Sequence, residues 1–338
     1  MRPNHQNTGP DIMEYKRLGM TGVQVSEVCL GTMTFGNESD EETSRALMAE
    51  AFDRGINFFD SAHNYNKGLT EKIVGRWIGP HRDEIILTSK VFFPSDGGMN
   101  DQGISRRNLL AAVEKSLKRL QTDRIDLLYL HHWDEHVPIE ESLRALNTLI
   151  EQGKVIYAGL SNFAAWQMMK AVDLAQMRNF APISCIQPMY SLVKRQAEVE
   201  IVPMAAHERL AVVPYNAMGA GLLTGKYLQG GTGRLDETEM YKQRYADPRY
   251  VEVTRRFVAF AAAKGIAPAP LAVAWVMSRP EVSSTLVGAR NLEQFRETLQ
   301  CLDIRLTAAE RDEITALSID PPHATDRESM NAMLKRGW

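Results

Sequence analysis

Val28–Gly36 reads VCLGTMTFG, a short aliphatic run followed by a turn with glycines only at Gly31 and Gly36. A doubly wound dinucleotide fold carries G-x-G-x-x-G after its first strand, because the pyrophosphate must approach the backbone there. This turn does not match that motif, and no other stretch does. Gly219–Tyr227 (GAGLLTGKY) resembles a phosphate loop but fails twice: Ala220 stands where the first glycine belongs, and Tyr227 follows Lys226 in place of Ser or Thr. What surrounds Val28–Met33 points elsewhere. Comparable runs occur at Asn57–Ala62, Ile85–Val91, Ile125–Trp133, Val155–Asn162, Ser184–Tyr190, Ala211–Met218 and Ser284–Ala289. Near-continuous apolar runs mark strands buried on both faces.

Amphipathic segments lie between these runs. Glu41–Arg54 follows the capping pair Ser39-Asp40 and stops at Gly55; Pro138–Gln152 starts on a proline and stops at Gly153. Ser105–Leu120 places Leu109, Leu110, Val113, Leu117 and Leu120 on one stripe, and Asn291–Gln300 follows the last strand. Most strand starts are about 30 residues apart, the length of one βαβ step. Eight steps predict an α/β fold of the (β/α)₈ TIM barrel type over residues 14–302, with a short N-terminal hairpin over 14–25. Long connections are expected after strands three (Phe92–Ile104) and seven (Lys226–Tyr250). Residues 1–13 read as a flexible segment, and 303–338 as a polar tail packed on the barrel or fraying from it.

The chain has 338 residues, with 39 Lys+Arg against 42 Asp+Glu, a net charge of −3 that leaves no basic footprint for nucleic acid or an anionic membrane. Cys29, Cys185 and Cys301 are far apart and form no CxxC pair, so a reducing compartment is expected. The N-terminus has no apolar run suited to a signal peptide, and a cytoplasmic location is the expectation. Oligomeric state, a homo-oligomer included, is not readable.

In such a barrel the C-terminal ends of the strands form the active face. There the sequence delivers Asp60, with Tyr65 five residues on, then Lys90, His131, Ser161-Asn162, Gln187, Tyr215 and Arg290. Taken singly these have plain alternatives: a turn cap, a solvated charge, a packing aromatic, a hydrogen-bonded core histidine. Together an Asp, a Lys, a Tyr and a His at one pole suit carbonyl reduction. Lys⁺ would lower the pKa of a phenol whose ordinary value is about 10, Asp would hold the Lys, and the phenol would protonate the developing oxyanion. No side chain supplies hydride, so a nicotinamide cofactor is implied. A metal centre is disfavoured, since adjacent His131 and His132 would point to opposite faces of a strand and no H-E-x-x-H occurs. A hydrolase is a weak third reading, because GLSNF lacks the last glycine of a nucleophile elbow.

These residues resemble the aldo-keto reductases. GINFFDSAHNYNKGLTEKIVG (Gly55–Gly75) is similar to that family's signature, ILTSK supplies its lysine, and DLLYLHHWD its histidine. The resemblance implies a tetrad of Asp60, Tyr65, Lys90 and His131, with Tyr65 the general acid. It implies that Ser161, Asn162 and Gln187 hold the carboxamide, that Tyr215 stacks on the nicotinamide, and that Asn216, Met218, Gly221, Leu222 and Leu223 follow the pyrophosphate. It places Gly288, Arg290, Gln294 and Glu297 at the adenosine end, where Arg290 favours NADPH over NADH. Two positions depart from the family: Asn66 stands where a glycine is common, and Thr298 where an asparagine is. The expected substrate is a small carbonyl compound, sugar-like ones included. Met33, Phe35, Asn64, Phe92 and Trp133 are expected to rim its pocket, with Asn66, Phe93 and polar neighbours beside them. The alternative is an NADPH-binding regulatory subunit resembling potassium-channel beta subunits.

Overall fold

All eight aliphatic runs form strands in a computed structural model of the chain, which describes residues 13–325. β1 (Tyr15–Arg17) and β2 (Gln24–Ser26) make an antiparallel hairpin. β3 (Val28–Gly31), β4 (Phe58–Asp60), β5 (Ile86–Val91), β6 (Ile125–Leu130), β7 (Val155–Ser161), β8 (Ile183–Gln187), β9 (Ala211–Val212) and β10 (Thr285–Val287) form a parallel sheet. Its order is β10-β3-β4-β5-β6-β7-β8-β9. The two ends meet: Val212 bridges Val282, the Ser283 amide donates to the Val212 carbonyl (2.9 Å), and that of Leu286 to Pro214 (3.0 Å). The sheet is thus closed, and the eight-step expectation holds.

The expected helices fall within a residue of their predicted bounds: α1 (Glu41–Asp53), α3 (Arg106–Leu120), α4 (Ile139–Glu151) and α11 (Leu292–Leu299). The Asp40 carboxylate accepts from the Thr43 amide at 2.8 Å and caps α1, as its sequence position suggested. The remaining barrel helices are α2 (Leu69–Ile78), α5 (Ala165–Met177), α6 (Ile201–His207), α9 (Arg249–Ala263) and α10 (Pro268–Met277). The connection after β9 is not bare loop, as the sequence had suggested. It contains α7 (Arg234–Glu237) and α8 (Glu239–Arg244), which close over the top of the barrel.

Side chains alternate across each strand. Cys29, Phe58, Leu127, Tyr129, Cys185, Ala211 and Val213 fill the lower interior. The same alternation along Ile86–Val91 sends Ser89 outward to the Glu71 carboxylate of α2 (2.7 Å) and Thr88 and Lys90 inward. The hairpin plugs the opposite end. Leu18 is fully buried, and Gly19 sits at φ 59° with its Cα so close to the starts of β8 and β9 that a Cβ would lie 2.6 Å from the Ser184 carbonyl. Glycine is required there for both reasons.

The tail packs rather than frays as far as it is described. α12 (Ala308–Thr315) offers Thr315 Oγ1 to the Trp275 indole (3.0 Å), and Arg305 pairs with buried Glu27 (2.8 Å). Met13, at the end of the segment expected to be flexible, is buried. Residues 1–12 and 326–338 of the two expected end segments lie outside the described residues.

Candidate active site

At the C-terminal pole, Lys90 Nζ sits between the Asp60 carboxylate and the Tyr65 hydroxyl, donating to the former, to the Ser61 carbonyl (2.9 Å) and to Tyr65 Oη (3.2 Å). Asp60 is fixed from its other oxygen, which accepts from Thr88 Oγ1 and Gln187 Nε2, both at 2.8 Å. The Lys90 side chain is 0% exposed and that of Asp60 2%, so this ion pair is enclosed by the barrel top. The His131 ring stands edge-on to Tyr65 with centroids 6.3 Å apart. The four expected residues are therefore brought together.

The electrostatics differ from the sequence expectation in one respect. Burial pushes the Tyr65 phenol above its ordinary value, and Lys90 offsets this only in part. Burial works against the Lys90 ammonium as well, yet Asp60 and Tyr65 more than compensate and keep it charged. Burial, reinforced by the Lys90 charge, holds the His131 imidazole well below the usual histidine range. The site thus presents a protonated phenol, a lysine cation and a neutral imidazole.

The loop carrying Tyr65 is held from behind. Asn66 takes the left-handed conformation (φ 46°), which asparagine tolerates, and its amide donates to the Phe35 carbonyl at 2.7 Å. This accounts for Asn in place of the glycine common in the family. Arg119 donates to the His63 carbonyl (3.0 Å), and its guanidinium lies so close to Gly68 that a Cβ there would be 2.4 Å from Cζ.

A cleft of about 640 Å³ runs from this tetrad across the barrel mouth. At the tetrad end, Asn162 (φ 57°) donates to the His131 carbonyl (2.9 Å) and accepts from Tyr215 Oη (2.7 Å). Ser161 Oγ donates to the Gln187 carbonyl (2.9 Å). Gln187 lines the cleft as expected, but its amide nitrogen is committed to Asp60, so it steadies the tetrad first. Midway the chain turns sharply through Asn216, Gly219, Ala220 and Gly221, all at positive φ. Asn216, Met218 and Gly221 line the cleft. Leu222 and Leu223 do not: their side chains are buried in the core and their amides donate to Gly219 and Met218, and Ala220 and Thr224 line the cleft instead. Gly288, Arg290, Gln294, Glu297 and Thr298 line the far end. Thr298 Oγ1 is spent on the Gln294 carbonyl (2.8 Å).

The substrate rim differs from the sequence expectation at three positions, Phe35, Phe92 and Trp133. Met33 and Asn64 line the cleft, but Phe35 is fully buried in the core. Phe92 and Trp133 sit one layer back: Phe92 packs on Phe93 and His132, and Trp133 on Phe163 and Trp166. Phe93, His131 and His132 make the wall. Both histidines reach it because β6 ends at Leu130, so strand alternation no longer separates them.

Several lining residues were not singled out from sequence: Lys226, Arg234, Met240, Tyr241 and Arg244. Lys226 lay in the stretch dismissed as a failed phosphate loop. Met240, Tyr241 and Arg244 share one face of α8 at helical spacing, a readable signal in a segment taken for loop. Glu38 pairs with Arg234 (2.9 Å) and Arg290 (3.1 Å), and Arg290 also with Glu237 (2.7 Å), so the connection after β9 is clasped over the far end. Against its burial, the two arginines hold Glu38 below the usual carboxylate range.

A closed parallel barrel with a buried Asp–Lys–Tyr–His group at its C-terminal mouth defines the class of barrel oxidoreductases. A sequence model of the aldo/keto reductase family matches residues 27–319. Over 305 residues the chain is 39% identical to an uncharacterized oxidoreductase, YrpG, of Bacillus subtilis (strain 168), covering 87% of this chain and 92% of that protein. It is 35% identical over 327 residues to a probable voltage-gated potassium channel subunit beta of Oryza sativa subsp. japonica (93% and 99% covered). It is 33% identical over 322 residues to norsolorinic acid reductase A of Aspergillus parasiticus (90% and 81% covered). The chain belongs to the aldo/keto reductase family and is an oxidoreductase.

The family's nicotinamide cofactors suit this cleft by its donor set. One end offers amide and hydroxyl groups beside an aromatic ring, the other Lys226, Arg234 and Arg290. Burial and the nearby Arg290 charge push the Lys226 ammonium down.

Proposed function

We propose that this protein is an NADPH-dependent reductase of aldehydes or ketones. The observation that carries the reading is Lys90 held by Asp60 against the Tyr65 hydroxyl, in a cleft of about 640 Å³ that also reaches Lys226, Arg234 and Arg290. A bound reduced nicotinamide supplies the hydride. This chain's residues do the rest. Ser161 and Asn162 position the carboxamide, Tyr215 backs the ring, and Lys226, Arg234 and Arg290 take the phosphates. The neutral His131 orients the carbonyl oxygen, and Tyr65 delivers its proton to that oxygen as negative charge develops. Lys90 draws the phenol proton toward transfer, and Asp60, tied to Thr88 and Gln187, fixes the ammonium. The substrate is a small-molecule carbonyl compound seated against Met33, Asn64, Phe93 and His132.

The test is loss of nicotinamide absorbance when purified protein and NADPH meet a panel of aromatic, short aliphatic and sugar-derived aldehydes. Absence of turnover across the panel, with NADPH bound, would move the reading to a regulatory subunit, which the similarity to plant channel beta subunits favours. The reading also places the protein in the cytoplasm. No single described helix is long and apolar enough to cross a membrane, and Cys29, Cys185 and Cys301 are free, buried thiols.

Two further results are expected. Arg290→Ala should raise the Kd for NADPH about tenfold while moving that for NADH less than about threefold, because a charge-assisted contact to the 2′-phosphate is lost. Equal losses in fluorescence titrations would refute that role. The pH profile of kcat should be flat from about pH 6 to about pH 9, since His131 is already neutral there and Tyr65, held above its ordinary pKa of about 10, is still protonated. An ionisation near pH 7 in the profile would contradict the protonation state given for His131 or for Tyr65.

A further inference from the structure

A second cavity of about 300 Å³ adjoins the tetrad end of the cleft, and the two share Asn162, Met189, Tyr215 and Arg244 as common walls. Phe163 and Ile201 give it apolar lining, and Lys194 and Arg244 line it too. None of the described residues that line it is acidic.

Both cations are half-buried and neither has a carboxylate partner within ion-pair distance among the described residues. Lys194 Nζ donates to Tyr250 Oη (3.1 Å) and faces the rings of Tyr245 and Tyr250. Asp247, held below the usual carboxylate range by Arg249 and only weakly by Lys194, is spent on the Arg249 backbone and guanidinium. Arg244 rests on the Tyr241 ring and, among the described residues, hydrogen-bonds only the Met240 sulfur (3.7 Å). Elsewhere the cleft's arginines are matched: Arg234 and Arg290 share Glu38, and Arg290 also takes Glu237. Two uncompensated, partly desolvated cations beside an apolar wall form an anion site, because their attraction for a ligand is screened less than in open water.

We infer that this side cavity is a subsite for an anionic oxygen group, carboxylate or phosphate, carried by the carbonyl substrate, with Arg244 as its principal contact and Lys194 as its second. The inference rests on the carbonyl-reductase reading and deepens it to a substrate class: aldehydes or ketones with an acidic group joined to the carbonyl by a short apolar spacer. The position separates this subsite from the cofactor's phosphates. Lys226, Arg234 and Arg290 stand at the far end of the cleft, whereas Arg244 stands beside Tyr215 and Asn162. Burial pushes the Tyr215 hydroxyl up to about 12, and of the charges pulling it back Arg244 is the foremost. A planar guanidinium that can take a carboxylate or phosphate through two parallel hydrogen bonds suits the role better than a lysine would.

The experiment compares 4-formylbenzoate, 4-formylphenyl phosphate and the neutral methyl 4-formylbenzoate as substrates of the wild type, Arg244→Gln and Lys194→Gln, with NADPH Kd measured for each protein. At least one anionic aldehyde should exceed the ester in kcat/KM by about tenfold in the wild type, a difference of about 1.4 kcal/mol. The preferred anion identifies which acidic group the site takes. Arg244→Gln should bring the anion-to-ester ratio to about one, Lys194→Gln should lower it about threefold, and NADPH Kd should hold within about twofold. A ratio near one in the wild type, or a ratio unmoved in Arg244→Gln, overturns the inference. So does a loss of NADPH affinity as large as the loss in ratio, which would give Arg244 to the cofactor's pyrophosphate. If none of the aldehydes is turned over, the reductase reading fails, and the subsite is judged by calorimetry with 4-(hydroxymethyl)benzoate and its methyl ester. Tighter binding of the acid in the wild type alone supports the subsite, and equal binding overturns it.

Discussion

Replacing Tyr65 by Phe is expected to lower kcat/KM for carbonyl reduction by about 10³-fold, the ordinary scale of a positioned general acid. The substitution keeps the buried ring and its edge contact with His131 and removes one hydroxyl, which receives a 3.2 Å hydrogen bond from Lys90. The fold should therefore survive with a loss of about 1 kcal/mol. NADPH affinity should stay near the wild-type value, because the dinucleotide contacts proposed here lie on Ser161, Asn162, Tyr215, Lys226, Arg234 and Arg290. The informative measurement pairs initial rates with a fluorescence titration of NADPH on the same preparation. Intact binding with turnover lost identifies the phenol as the proton donor. Turnover retained to within a few-fold would mean that another group, His131 foremost, protonates the oxygen. That group would then have to titrate in the range where its burial forbids it.

What the sequence revealed of this site, and what it hid, follows from the range of each physical rule. Asp60, Lys90 and Gln187 were legible because strands alternate with period two and a parallel barrel sends all its C-terminal ends to one pole. Their meeting is a consequence of register: Asp60 pairs with Thr88, two residues before Lys90. The rule failed where the strand ended. His131 and His132 were assigned to opposite faces by an alternation that stops at Leu130, and both line the cleft. Phe35 was read as a rim aromatic from its place after β3, but the turn there carries it into the core, with its carbonyl tied to Asn66 and Thr70. Tertiary contacts decide that turn, and local sequence does not encode them. The clasp from Glu38 to Arg234 and Arg290 joins residues 196 and 252 positions apart, so no motif window contains it. The helix α8 is a different kind of miss: its spacing was there, and glycines upstream made the whole segment look like loop.

Lys90→Met should destabilise the protein by about 3–5 kcal/mol, because it leaves the buried Asp60 carboxylate without its counter-charge. In thermal unfolding this corresponds to a fall in Tm of roughly 4–7 °C for a chain of this size. The cost should belong to the orphaned charge and not to lost packing, since Met fills much of the space of the lysine stem. The double variant Asp60→Asn/Lys90→Met separates these causes. An amide at position 60 can still meet Thr88 Oγ1 and the Gln187 side chain, which hold Asp60 at 2.8 Å in the wild type, and it carries no charge to strand. It should recover most of the lost Tm. Turnover, however, should stay at the level of the single variant, about 10²-fold or more below wild type, because the ammonium that prepares the Tyr65 proton is absent from both. A single variant that melts with the wild type would show that Asp60 is not held as a buried anion. A double variant that regains turnover would show that the lysine serves the fold alone, and the proton path would then have to be sought through His131.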